Sequence, residues 1–175
     1  CNAVGHIGLR KELLKAGADL GIKEIGFNAL LSLRLEKSFG IWNAEFTQGY
    51  TPAETGMDRW IDWTKDSFVG SHAASVELNG NGPNRRLVTL EVNADGADGA
   101  DASGYEPIWS NDKMVGFVTS GGYGHTMKKS YAMALVDTEL AKEGTDLTVH
   151  IVGVERKATV IAPSPYDPSG KAMRG

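Results

Sequence analysis

Apolar positions recur along this chain at two different periods, and the change between them divides it. In "IGLRKELLKAGADL" (7–20), Leu9, Leu13, Ala16 and Leu20 lie three or four residues apart, the spacing of one helix face. Gly21 follows, where a helix C-terminus takes glycine. A second helical pattern, "NALLSLRLEK" (28–37), starts with Asn28 as its N-cap. "TPAE" (51–54) spells a helix start: Thr51 as cap, Pro52 at the first helical position and Glu54 closing a capping box. Gly56 keeps that helix short. "RWIDW" (59–63) alternates as a strand does, and "SHAASVE" after Gly70 predicts another short capped helix.

From about residue 85 the period falls to two. "RLVTLEV", "MVGFVTS", "SYAMALV", "LTVHIVG" and "KATVIA" are short, alternating and β-branched. "SNDK", "KEGTD" and "GVERK" read as turns or tight hairpins between them, and "SGGYG" (120–124) as a tight turn. Five or six such strands predict a small antiparallel barrel or sandwich. The expected fold class is therefore α+β, an α-rich front segment (1–78) followed by a small antiparallel β-barrel (79–175), with "NGNGPN" (79–84) as the join.

Composition narrows the function classes. The 175 residues carry a formal net charge of −4, and basic clusters such as "NRRL" and "MKK" are small, which argues against nucleic acid as a partner. No apolar run approaches the ~20 residues of a membrane span, and no secretory leader is visible. No membrane partner and a cytoplasmic location are expected. Cys1 is the sole cysteine, so an internal disulfide is excluded. The sequence opens without methionine and reads as a piece of something longer.

Several familiar sites are absent. His6, His72, His125 and His150 are scattered without zinc spacing. No P-loop, dinucleotide fingerprint or nucleophile elbow occurs. The acidic repeat "ADGADGADASG" (94–104) spaces Asp95, Asp98 and Asp101 three apart, not at the alternate positions of a calcium loop. It reads as a mobile hairpin loop, and no metal site is expected. Arg34 remains. It projects beside the leucines of its helix, and a guanidinium partly removed from water must find an anion. Glu36, Glu45 and Glu54 offer internal carboxylates, and a ligand carboxylate would serve as well. Phe39, Trp42, Phe46 and Tyr50 are either core or the lining of a pocket for a flat ring.

Three longer segments carry a resemblance: "GADLGIKEIGFNALLSLRLEK", "GYTPAETGMDRWIDWTKDSFVGSHAA" and "EPIWSNDKMVGFVTSGGYGHTMKKSYAMALV". Together, from about residue 12 to 175, they resemble the carboxyl-terminal half of the glycine-cleavage T-protein (aminomethyltransferase) family. "WNAEFTQGYTPAETGMDRWIDW" and "YDPSGKAMRG" are similar to the folate-binding region that ends sarcosine and dimethylglycine dehydrogenases. Sulfonium-compound demethylases of the same fold fit these segments less well.

The resemblance implies tetrahydrofolate as cofactor and transfer of a one-carbon unit from an aminomethyl or N-methyl donor to a folate nitrogen. It implies that Arg34 of "RLE" holds the folate, that Trp42 lines the same pocket and that Tyr166, in the tail, folds back toward it. Glu36 and Glu54 are expected to be structural, as a partner for Arg34 and a helix cap. It further implies that residues 1–78 are a remnant of the folate-binding core and 79–175 a barrel domain. The family's catalytic aspartate and its pterin-gripping acid would belong to an amino-terminal half outside this sequence, and FAD to a separate dehydrogenase domain. The chain alone is thus expected to hold no catalytic residue, to bind folate weakly and to transfer nothing. The competing expectation is a non-catalytic assembly module that self-associates through apolar surface on its front helices.

Overall fold

A computed structural model describes residues 2–65, 67–94 and 99–174; Cys1, Asp95 and Asp98 lie outside the described residues. The chain divides into two compact units, residues 1–30 and 31–175. In the first, the 7–20 pattern yields helix α1, His6–Ala16, and a 3-10 turn, Ala18–Leu20, that ends on Gly21 in the left-handed region (φ 67°). Arg10 grips Glu24 with two contacts of 2.6 Å. Leu9, Leu13, Ala16 and Leu20, the apolar stripe, remain exposed, as does Ile7.

Helix α2, Phe27–Glu36, begins one residue before Asn28, so Asn28 lies inside the helix instead of capping it. Its end belongs to the second unit, where Arg34, Leu35 and Glu36 are buried. Helix α3, Pro52–Thr55, forms as "TPAE" requires. Thr51 Oγ1 accepts from the Glu54 N–H, Glu54 Oε2 accepts from the Thr51 N–H, and Gly56 (φ 69°) ends the helix. "RWIDW" is not a strand. With no ladder beside it, the chain closes on itself in a 3-10 turn, Asp58–Trp60, through Trp60 N–H to Met57 O and Ile61 N–H to Asp58 O. Helix α4, Ser71–Asn79, starts from Gly70 (φ 87°) without a side-chain cap.

Six strands follow: β1 Arg85–Val92, β2 Pro107–Ser110, β3 Lys113–Gly124, β4 Lys129–Asp137, β5 Asp146–Ile151 and β6 Val154–Ile161. They close a barrel in the order β1-β4-β3-β2-β5-β6, antiparallel at every seam. An α+β chain with a closed antiparallel barrel is the architecture that the two periods predict. Val88, Leu90, Val92, Ile108, Val118 and Val149 are among the side chains that fill the interior. Strand β4 is buried on both faces. Ala132, Ala134 and Val136 point inward, while Tyr131 and Met133 form a second cluster with Leu35 of α2.

Four turn assignments are revised by this topology. No hairpin joins β1 to β2, because β1 pairs with β4 and β6; residues 95–98 of the acidic repeat lie outside the described residues. "KEGTD" likewise joins β4 to β5, which are not neighbours, and the β5–β6 hairpin turns at Val152 and Gly153 (φ 50° and 77°), ahead of most of "GVERK". "SGGYG" lies within β3. A Cβ on Gly121 would fall 2.5 Å from the Ala102 carbonyl oxygen, and one on Gly124 would fall 2.9 Å from Glu36. These glycines admit close packing, not a change of direction.

Candidate functional site

The last turn of α2 is where chemistry-bearing side chains converge. Arg34 is only 8% exposed and Glu45 is wholly buried. Arg34 Nη1 donates to Glu45 Oε2 at 3.3 Å, to Phe39 O at 3.4 Å and to Met133 Sδ at 3.7 Å. All its described hydrogen bonds leave from that one nitrogen. Nε is buried and finds no hydrogen-bond partner among the described residues. Burial lowers the Arg34 pKa from its usual value and Glu45 opposes the shift; an arginine keeps its charge regardless.

Among the three internal carboxylates, Glu45 is therefore the partner. Glu36 is not. Its Oε1 instead accepts the N–H groups of Thr126 (2.7 Å) and Met127 (2.8 Å), which fastens the β3–β4 turn to the end of α2. Glu54 keeps its capping role and adds an ion pair to Arg85 at 3.1 Å. Glu45 Oε2 also takes the Ile41 N–H at 2.8 Å, and its Oε1 takes the hydroxyls of Thr119, at 2.6 Å, and Ser120. A barrel strand thus reaches the arginine through one carboxylate. Thr119 and Ser120 were legible as part of a family segment but not as donors, since nothing in the alternation of β3 marks their hydroxyls as buried.

The chain after β6 returns to the same helix end. Ser164 N–H donates to Ser38 Oγ and its hydroxyl to Lys37 O, both at 2.8 Å. Tyr166 N–H donates to Glu36 O at 3.0 Å, and Lys37 Nζ reaches Asp167 O at 2.5 Å. Carbonyls left open where a helix ends need such donors. Asp167 then accepts the Ala172 and Met173 N–H groups at the start of helix α5, Lys171–Arg174. Tyr166 is thereby tied to the residue two places after Arg34. Trp42 lies in the loop that follows α2 and is 81% exposed, its indole uncovered. A cavity of about 320 Å³ touches this neighbourhood at Ser38, Phe46 and Met133. A larger one of about 900 Å³ lies along the barrel wall near Glu91, Trp109 and Lys157. Neither is lined by Arg34, Trp42 or Tyr166.

Among the described residues no group of three or more His, Cys, Asp or Glu is placed to hold a metal. No helix among them is long and apolar enough to cross a membrane.

A closed six-stranded barrel with an arginine-bearing helix end packed on its wall defines a recognisable class. The family model of the glycine cleavage T-protein C-terminal barrel domain matches residues 85–167, and that of the GCVT N-terminal domain matches residues 4–65. The chain belongs to the glycine cleavage T-protein family. Its relatives include rat mitochondrial dimethylglycine dehydrogenase, 35% identical over 153 residues, which are 87% of this chain and 18% of that protein. They also include the aminomethyltransferase of Acidobacterium capsulatum, 36% identical over 156 residues, 89% of this chain and 40% of that one. The fold matches glycine cleavage system aminomethyltransferase T from Bartonella henselae with a TM-score of 0.82 at 24% identity, covering 93% of this chain and 44% of that structure. The chain spans less than half the length of each of these proteins. The first family match starts at residue 4, upstream of residue 12, where the resemblance became legible.

Proposed function

We propose that this chain supplies the carboxyl-terminal wall of a tetrahydrofolate-dependent aminomethyltransferase domain, of the kind attached to a dimethylglycine or sarcosine dehydrogenase. The observation that carries this reading is the unmatched edge of Arg34. One nitrogen balances Glu45, and the buried Nε has no partner among the described residues. Leaving a buried donor unmet costs roughly 1–3 kcal/mol, and a carboxylate docking on that edge relieves the cost. A planar guanidinium fork matches a carboxylate in shape and charge. The residues therefore fit the glutamate end of a folate.

In this reading Arg34 fixes the carboxylate. Trp42 offers an uncovered ring face on which the flat aminobenzoyl part stacks. Tyr166, held by its backbone at Glu36, closes the same side. The folate, when bound, supplies the nitrogen that accepts the one-carbon unit. None of these side chains is assigned a proton transfer, so the chain positions its ligand and transfers nothing by itself.

Isothermal titration of tetrahydrofolate into the chain and into Arg34→Lys tests the reading. Lysine keeps the charge and removes the fork. The variant is expected to lose about tenfold in affinity or more. Equal binding by the two proteins removes Arg34 from the role.

A further inference from the structure

Among the described residues Glu45 is the carboxylate that touches Arg34, it is wholly buried, and the way it is satisfied is specific. An ionised carboxylate offers about four acceptor positions. Here four donors occupy them: Thr119 and Ser120 hydroxyls on Oε1, Ile41 N–H and Arg34 Nη1 on Oε2. With one oxygen given to the barrel, Glu45 meets the guanidinium through a single nitrogen. The two-pronged pairing that arginine and carboxylate otherwise prefer is blocked. The opposite edge of the guanidinium, whose Nε is buried and makes no hydrogen bond among the described residues, keeps its donor unspent, and its plane is set from β3.

Resting on the reading of Arg34 as the carboxylate holder, we propose that Glu45 is a positioning residue, anchored by Thr119 and Ser120, that holds Arg34 end-on through Nη1 and so presents its Nε edge to the carboxylate of the ligand. The ligand class selected is a carboxylate approached in the plane of the guanidinium. Glu45 itself touches no ligand. Because the anchors belong to a barrel strand, the barrel takes part in recognition from a distance, through one side chain.

The test uses the full chain, Glu45→Gln and Ser120→Ala, with two readouts. Glutamine keeps the size of Glu45 but removes its charge: its amide oxygen stays with the Ile41 N–H and its NH2 faces the Thr119 and Ser120 hydroxyls, which can accept, so the hold on the guanidinium weakens. The ¹⁵N resonance of Arg34 Nε–H, assigned by its loss in Arg34→Lys, reports positioning without any ligand. It is expected to exchange with solvent slowly in the wild type and about tenfold faster or more in Glu45→Gln. Affinity is then compared for tetrahydrofolate and for tetrahydrofolate with both glutamate carboxylates amidated. The wild type is expected to prefer the acid by roughly tenfold or more, and Glu45→Gln to lose most of that preference. Ser120→Ala is expected to lose a smaller part.

Equal weakening of both ligands with the preference retained shows a merely structural residue and overturns the proposal. So does an unchanged Nε–H exchange rate in a folded Glu45→Gln. If Glu45→Gln does not fold, Ser120→Ala decides on the same two criteria, and an unchanged Ser120→Ala overturns the proposal. If the wild type does not distinguish acid from amide, the folate reading of Arg34 fails, while the exchange rate still decides whether Glu45 sets the guanidinium.

Discussion

Helix α1 and strand β1 are both short amphipathic segments, of 11 and 8 residues, and their apolar faces meet opposite fates. Val88, Leu90 and Val92 of β1 lie inside the barrel, Leu90 with no exposed surface at all. Ile7, Leu9 and Leu13 of α1 keep theirs in solvent, Leu13 at 54%. Patterning specifies a face; it does not supply the cover. In β1 the cover comes from five further strands of the same period, which close on one another and leave no edge. Among the described residues of the first unit, α1 is tied to the chain beyond it by the exposed Arg10–Glu24 pair, which salt screens, and its leucines stay uncovered.

The largest break in this comparison is Leu90→Ala. A fully buried leucine in a packed interior loses transfer free energy and leaves a cavity, about 2–5 kcal/mol in total. Thermal or urea denaturation is expected to show that loss in a single transition for residues 31–175. A change under about 1 kcal/mol would mean that the barrel interior repacks freely and that its closure is not what holds this unit together.

The same contrast explains what could be read from the sequence. The strands were legible because alternation and burial coincide in them: each segment from "RLVTLEV" to "KATVIA" lies in a strand for most of its length, with Val152 and Gly153 of "LTVHIVG" and Ala162 falling outside. The capping box at Thr51 was legible because all its partners lie within four residues. Long-range topology was not. Nothing in "ADGADGADASG" tells that β1 closes against β6, and "SGGYG" reads as a turn until Ala102 and Glu36 are known to pack on it. "GVERK" misplaced a hairpin because Val152 sits in the left-handed region, a position that composition assigns to Gly or Asn. At the site, Arg34 could be singled out as a cation needing an anion. Choosing Glu45 over Glu36 could not be done from spacing. Glu36 is drawn away by two N–H groups some 90 residues on, and Glu45 is fixed by hydroxyls of β3.

A smaller effect separates the tail from the barrel that it leaves. Desolvation pushes the Asp167 carboxyl up, but the N–H groups of Ala172, Met173 and Lys171 together with the Lys37 ammonium outweigh it and hold the pKa below the usual aspartate value. A carboxyl with a depressed folded pKa stabilises above its unfolded value, and that contribution disappears as pH falls through the folded one. Docking of residues 164–174 is therefore expected at neutral pH and weakens only as the pH drops below about 4. Amide exchange at Ala172 and Met173 is expected to rise there while Leu90 and Val149 in the barrel stay protected. In Asp167→Asn this acid step disappears. Loss of barrel and tail protection together would show that the tail is part of the same cooperative unit.

The smallest expected effect is at α1. Leu13→Ser places a polar side chain on a helix face that already meets water, so the only cost is helix propensity, under about 0.5 kcal/mol. The same leucine-to-small change that unsettles β1 is thus expected to pass almost unnoticed here, with the helical circular dichroism of the chain nearly unchanged. A loss above about 1.5 kcal/mol would require that Leu13 be packed in solution, and a loss that shrinks on dilution would identify the packing partner as a second copy of the chain. Either result would give α1 the cover that the barrel strands provide for themselves.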